Sequence, residues 1–121
     1  MNLNHLDLPV PNTRKSQAFF VRHFGFRPVF SRDDGLIVLV DEDGFALTLS
    51  PIASESHLSY PDGFHVGLSV DSKDELLETH GSLVAAGVPI ARPIGELGGA
   101  LAFHCHAPGA ILIEVAYRPR Q

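Results

Sequence analysis

The chain has a single cysteine, Cys105, and no tryptophan. One thiol excludes an intramolecular disulfide and suits a reducing compartment. No run of lysine or arginine occurs, and the formal net charge is −5, so the basic footprint that nucleic-acid binding needs is missing. No apolar stretch approaches the roughly 20 residues of a membrane span. The amino terminus opens into a strand pattern without a basic and apolar leader. The expectation is a cytoplasmic protein with neither nucleic acid nor membrane as partner. Charged residues make up only 19% and hydrophobic ones 45%, which suits a packed domain rather than a disordered chain. At 121 residues that means one domain with a substantial core.

What is present is alternation. Leu3 to Val10, "LNHLDLPV", places His5 and Asp7 on one face of a strand and Leu6, Leu8 and Val10 on the other. Asn12 is a helix N-cap, with Gln17, Phe20, Val21 and Phe24 at helical spacing and Gly25 as the stop. Phe26 to Phe30 reads as a strand, with Pro28 indicating an edge position or an irregularity. Asp33-Asp34-Gly35 and Asp43-Gly44 are hairpin signals before strands over Leu36–Val40 and Phe45–Leu49.

After a polar linker at 53–62 the order repeats. A strand over 64–70 leads to Asp71 as N-cap, with Asp74 and Glu75 in the first helical turn. Leu76, His80, Leu83 and Val84 follow at helical spacing, and Gly87 is the stop. Val88–Pro93, a glycine-rich turn at Gly95, Gly98 and Gly99, a strand over 100–106, a Pro108-Gly109 turn and a strand over 111–117 complete the chain. His5 aligns with His65, Leu8 with Leu68 and Val10 with Val70. The summary is α+β, a duplicated βαβββ unit, with module one at about 1–52 and module two at about 63–118.

Taken singly, His5 and His65 each read first as strand histidines with a satisfied hydrogen bond. Glu114 is the one charge in the apolar strand "ILIEV"; burying a lone carboxylate is costly, so it reads as exposed, ion-paired or ligating. If the strands are equivalent, the three side chains can share a cavity as a two-histidine, one-carboxylate set with open metal positions. Cys105 points opposite to His104 and reads as a small core residue. His23 and His57 read as surface residues, and Arg118 and Arg120 as a solvated tail or an anion contact. The "GELGG" cluster lacks a following helix and reads as a mobile lid.

"LNHLDLPVPNTRKSQAFFVRHFGFRPVF" resembles the opening of the vicinal oxygen chelate superfamily, the glyoxalase, bleomycin-resistance and extradiol dioxygenase proteins. "GFHVGLSVDSKDELLETHGSLVAAGVPI" resembles the start of that superfamily's second module, and "APGAILIEV" stands where it usually carries Asp-Pro-Asp-Gly-x-x-x-Glu. The resemblance spans essentially the whole chain. It implies paired modules forming an open, cup-shaped mixed barrel, and a homodimer, with the site built within one chain or across two. It places metal ligands at His5, His65 and Glu114, with Asp7, Gly67, Ser69, Leu112 and Ala116 facing the same cavity. It puts His104, two residues from His106 on one strand face, in the role of acid, base or substrate contact; an exposed strand pair is the other reading.

The resemblance implies a divalent metal (iron, manganese, nickel, cobalt or zinc) and a small oxygenated substrate. The chain would then be a metal-dependent lyase, transferase or dioxygenase in which His104 or Asp7 moves protons. It also admits a drug-sequestering protein of the bleomycin-resistance type. The departures are specific. Ala46-Leu47-Thr48-Leu49 has no fourth-strand carboxylate, which disfavours glyoxalase I chemistry. Asp7 stands where fosfomycin-type thiol transferases usually show threonine, and "ARPIGELGGA" has no lysine.

Overall fold

The computed structural model describes residues 1–53 and 59–119. Its contacts divide the chain into two compact units, Met1–Ser59 and Tyr60–Gln121. The first runs β1 (His5–Val10), α1 (Thr13–Phe24), β2 (Arg27–Ser31), β3 (Ile37–Val40) and β4 (Ala46–Pro51). The second runs β5 (His65–Val70), α2 (Lys73–Ala85), β6 (Ile90–Leu97), β7 (Ala100–Ala107) and β8 (Ile111–Tyr117). Each holds one four-stranded sheet, in the order β1-β4-β3-β2 and β5-β8-β7-β6. First and last strands pair in parallel (β1 with β4, β5 with β8) and the other neighbours antiparallel. A parallel pair needs a long crossover, which the helix and the two intervening strands provide. The fold is α+β and consists of two βαβββ units.

The alternation in the sequence becomes two chemically different faces. In the first unit Leu8, Val10, Leu39, Leu47 and Leu49 are buried together with Phe20 of α1, while His5 and Asp7 are exposed. In the second unit Ile111, Ile113, Val115, Phe103 and Cys105 are buried, with Leu76 and Leu83 of α2. Glu114 and His104 stand on the opposite, half-open face. Apolar burial therefore fixes which side chains face outward: a shift of one residue in register would put His5, Asp7 and Glu114 into the core.

Local chemistry sets the element ends. Asn12 Oδ1 accepts from the Lys15 N–H at 3.0 Å, and Gly25, at φ 72°, closes α1 in the left-handed conformation that suits glycine. The α2 cap is Ser72 rather than Asp71: Ser72 Oγ accepts from the Glu75 N–H, and the Asp71 N–H donates to the Glu75 carboxylate. This reciprocal arrangement leaves Asp71 outside the helix. The buried face of α1 is Thr13, Ser16, Phe19 and Phe20, whereas Val21 is exposed; Val84 of α2 is likewise 51% exposed. In both helices the strand face beneath, rather than apolar spacing alone, selects the buried stripe. Gly95 lies inside β6, and the turn is only Gly98-Gly99. The Arg118 guanidinium donates to the Gly98 carbonyl at 2.8 Å, so "GELGG" forms a tied hairpin end, not a long lid.

Candidate functional site

The second unit gathers three of the expected residues. Antiparallel register puts His104 of β7 beside Glu114 of β8, and parallel register puts Gly67 of β5 on its other side. His104 Nε2–H donates to Glu114 Oε1 at 3.1 Å. The pair is half-buried, with side chains 14% and 23% exposed. The His65 ring stacks on that of His104, centroids 5.7 Å apart and planes 24° from parallel. Gly67 leaves open the space beside the second carboxylate oxygen: even an added Cβ would stand 4.0 Å from Glu114 Oε2, an ordinary contact.

His65 has a defined tautomer. Its Nδ1 lies 2.9 Å from the Gly63 carbonyl oxygen, which can only accept, so Nδ1 carries a proton and in the neutral ring the lone pair is on Nε2. The first unit repeats this at His5, whose Nδ1 donates to Asn4 Oδ1 at 2.7 Å. Metal-binding histidines are held this way: an outer acceptor fixes the ring and leaves the other nitrogen to ligate. Asp7, on the same strand face as His5, accepts a 2.6 Å hydrogen bond from the Ser50 hydroxyl, which leaves Oδ2 free. Among the described residues no three His, Cys, Asp or Glu side chains already stand as a ligating group. Within the second unit, the outward nitrogen of His65 and the second oxygen of Glu114 are donors of the kinds that ligate divalent ions.

His104 offers Nδ1 as its remaining acceptor once Nε2–H is given to Glu114. His106, two positions on, is exposed. Cys105, on the opposite face, is fully buried, and burial pushes its thiol up to about 11; it is a core residue, not a nucleophile. His23 is not a free surface residue: its ring packs 5.1 Å from that of Phe19, and burial, with Arg22 beside it, lowers its pKa. His57 and Arg120 lie outside the described residues. A cleft of about 670 Å³ beside the β2–β3 turn, with Arg14, Gln17, Ser31 and Arg32 in its wall, contains none of the candidate residues.

The partners that hold His5, His65, Asp7 and Glu114, namely Asn4, the Gly63 carbonyl, Ser50 and His104, were not part of the sequence expectation. One was accessible there. A hairpin turning at Pro108–Ala110 pairs Ala107 with Ile111, and three steps further out on each strand pairs His104 with Glu114.

Against known proteins, the family model described as Glyoxalase/Bleomycin resistance protein/Dioxygenase superfamily matches residues 2–115. A comparison with curated proteins gives no match. Among solved structures, a possible glyoxalase from Bacillus cereus is 30% identical, with a TM-score of 0.84 over 96% of this chain and 98% of that one. A genomically encoded fosfomycin resistance protein from Listeria monocytogenes has a TM-score of 0.82 at 18% identity, covering 98% and 94%. A lactoylglutathione lyase from Agrobacterium tumefaciens has 0.77 at 17%, covering 96% and 92%; at such identities these last two likenesses speak for the fold. With its two βαβββ units and a family match over nearly its full length, the chain belongs to the glyoxalase/bleomycin resistance protein/dioxygenase superfamily.

Proposed function

We propose that the protein is a metal-dependent enzyme acting on a small oxygenated molecule, with a divalent ion ligated by His5, His65 and Glu114. The observation that carries this reading is the hydrogen bonding of the two histidines. Both direct Nδ1–H to an oxygen acceptor and so leave Nε2 as the nitrogen available to a ligand, as metal-binding histidines do and incidental strand histidines need not. When bound, the ion supplies Lewis acidity and open positions for two substrate oxygens. The chain's own residues orient the substrate and move its protons: His104 through Nδ1 and Asp7 through Oδ2 are the groups placed on the open faces for that work. The protein acts in the cytoplasm as a homodimer.

The test is elemental analysis of protein purified anaerobically without chelator. Close to one equivalent of iron, manganese, nickel, cobalt or zinc per chain is expected, falling to background in His65→Ala and Glu114→Ala. Unchanged metal content in those variants would refute the assignment. A second reading, drug sequestration of the bleomycin-resistance type, draws support from the lack of a ready-made ligating group among the described residues. It requires His5→Ala and Glu114→Ala variants that bind the same small molecules as the native protein, without metal.

A further inference from the structure

Register sets out the open face of the second unit in rows. One row runs His65, Leu112 and His106 across β5, β8 and β7. The next runs Gly67, Glu114 and His104, and continues on β6 with Arg92. A third runs Ser69, Ala116, Ala102 and Gly95, none with a side chain longer than that of serine. Residues directly opposite on neighbouring strands share a face. The middle row therefore lines up a glycine, a carboxylate, an imidazole and a guanidinium.

Arg92 joins that row only because β6 is irregular. Ile90 pairs with Cys105, a core residue, and Arg92 pairs with His104, so two steps on β6 answer one step on β7. In a regular strand residues two apart share a face, and Arg92 would follow Ile90 to the side of Cys105. The extra residue, Ala91, turns it to the open side. A second irregularity follows between Arg92 and Gly95. Bulges bend a strand and re-aim a side chain, and they gather next to functional sites. The re-aimed arginine is exposed. Among the described residues no carboxylate pairs with it, since the ion pairs there are Arg32–Asp34 and His104–Glu114. Glu114, two strand spacings or about 10 Å away between Cα atoms, already accepts from His104.

We propose that Arg92 binds an anionic group of the substrate, a carboxylate or a phosphate, on the open face of the second unit. The planar guanidinium fork matches either group with two parallel hydrogen bonds. With the anion on Arg92, the rest of a small molecule lies over the neighbouring strand, beside His104 and toward Glu114. The third row, without long side chains, does not crowd that position. The proposal names the substrate class for the function proposed above, and it rests on that reading for the choice of this face as the place of reaction.

The test is titration of the isotope-labelled full chain with sodium phosphate and, separately, sodium acetate, at constant ionic strength. The protein is chelator-treated so that no ion competes for the anion, and backbone amide shifts are followed by nuclear magnetic resonance. Saturable shifts at Arg92, His104 and Glu114 are expected with at least one anion, and the tighter of the two tells a phosphate from a carboxylate substrate. Arg92→Gln should weaken that binding at least about tenfold, as loss of a hydrogen bond to a charged group does. Arg92→Lys, which keeps the charge but not the fork, should weaken it less. Arg14→Gln, in the wall of the cleft beside the β2–β3 turn, should leave it unchanged. Shifts that do not saturate with either anion overturn the proposal, and so does native affinity in Arg92→Gln. Loss of binding in Arg14→Gln puts the anion in the first unit and overturns it as well. Should Arg92→Gln fold poorly by circular dichroism, the native shifts decide: a saturable response confined to β6, β7 and β8 supports the proposal, and one centred on α1 opposes it. Metal analysis separates the two levels of the argument. If metal is present and lost in Glu114→Ala, but no anion binding depends on Arg92, this proposal alone fails. If anion binding depends on Arg92 while metal content is the same in Glu114→Ala, the metal site fails and the anion site stands.

Discussion

The His104–Glu114 pair allows function and stability to be separated by one set of variants. In Glu114→Leu the His104 Nε2–H, on a side chain only 14% exposed, loses its acceptor, at a cost of about 1–3 kcal/mol. In His104→Phe the Glu114 carboxylate keeps more water, being 23% exposed, so the cost is smaller, about 1–2 kcal/mol. Replacing both removes the polar demand altogether. The double variant His104→Phe/Glu114→Leu should be neutral or up to about 2 kcal/mol more stable than the native protein, and the phenyl ring can still stack on His65. For a chain of this size 1 kcal/mol corresponds to about 4 °C. The singles should therefore melt about 4–12 °C lower, and the double between about 0 and 8 °C higher. Calorimetry on chelator-treated protein measures this, and the coupling energy should be at least about 2 kcal/mol. The native protein should also gain about 10 °C at a metal concentration one hundred times its dissociation constant, a gain absent from the double variant. If the double variant loses the sum of the two single losses, the pair is not a coupled polar insertion on an otherwise apolar framework, and the reasoning fails.

Other consequences follow from single residues. Ala110 has φ 60° in the β7–β8 turn, a conformation that costs an L-residue about 1–2 kcal/mol. Ala110→Gly should raise the melting temperature by about 2–4 °C after the extra chain entropy of glycine is subtracted; a lower value would contradict the assigned turn. Cys105, buried with its thiol pushed up to about 11, should resist thiol reagents at pH 8 in the native protein and react fully in denaturant. Rapid native labelling would show that β7 opens more readily than its core position implies. His23 has its pKa lowered, first by burial and then by Arg22, so its neutral form belongs to the folded state. Its contribution is full above the unfolded value of about 6.5 and is lost as pH falls below that value and through the lower folded one. Denaturant midpoints measured from about pH 7 to about pH 5 should fall less steeply in His23→Gln than in the native protein; equal slopes would remove His23 from the account.

The fold could be read from the chain because two periodicities dominate it. Alternation at His5–Val10 and Ile111–Tyr117 survives intact as buried and open faces, and Asn12 and Gly25 bound α1 as their chemistry requires. Errors arose where several residues competed for one role. Ser72 took the cap from Asp71 because Glu75 could answer both backbone groups. Val21 and Val84 lost their expected burial because a helix face is chosen by the sheet beneath it. The open strand faces on which His5, Asp7, His65 and Glu114 stand were legible, but not the partners that hold these side chains. Ser50 is 43 residues from Asp7, and no local pattern announces a hydroxyl that reaches a neighbouring strand. The His104–Glu114 bond lay within reach, because a tight turn fixes the register of everything outside it.

That division has a physical source. Each sheet is held by residues of one parity: Leu8, Val10, Leu47 and Leu49 in one, and Ile111, Ile113 and Val115 in the other. The opposite parity is free of that demand, and there His5, Asp7, Glu114 and His104 are tied by single hydrogen bonds to neighbours. A change at Thr48 or Gly67 alters which strand presents a carboxylate without touching the buried rows. Chemistry can therefore move between strands while the framework stays constant. Such a fold can keep its backbone while the residues on its open faces change. On the proposed reading, the chemistry belongs to the open-face rows that hold His5, Asp7, His65, His104 and Glu114, and not to the buried rows that hold the sheets together.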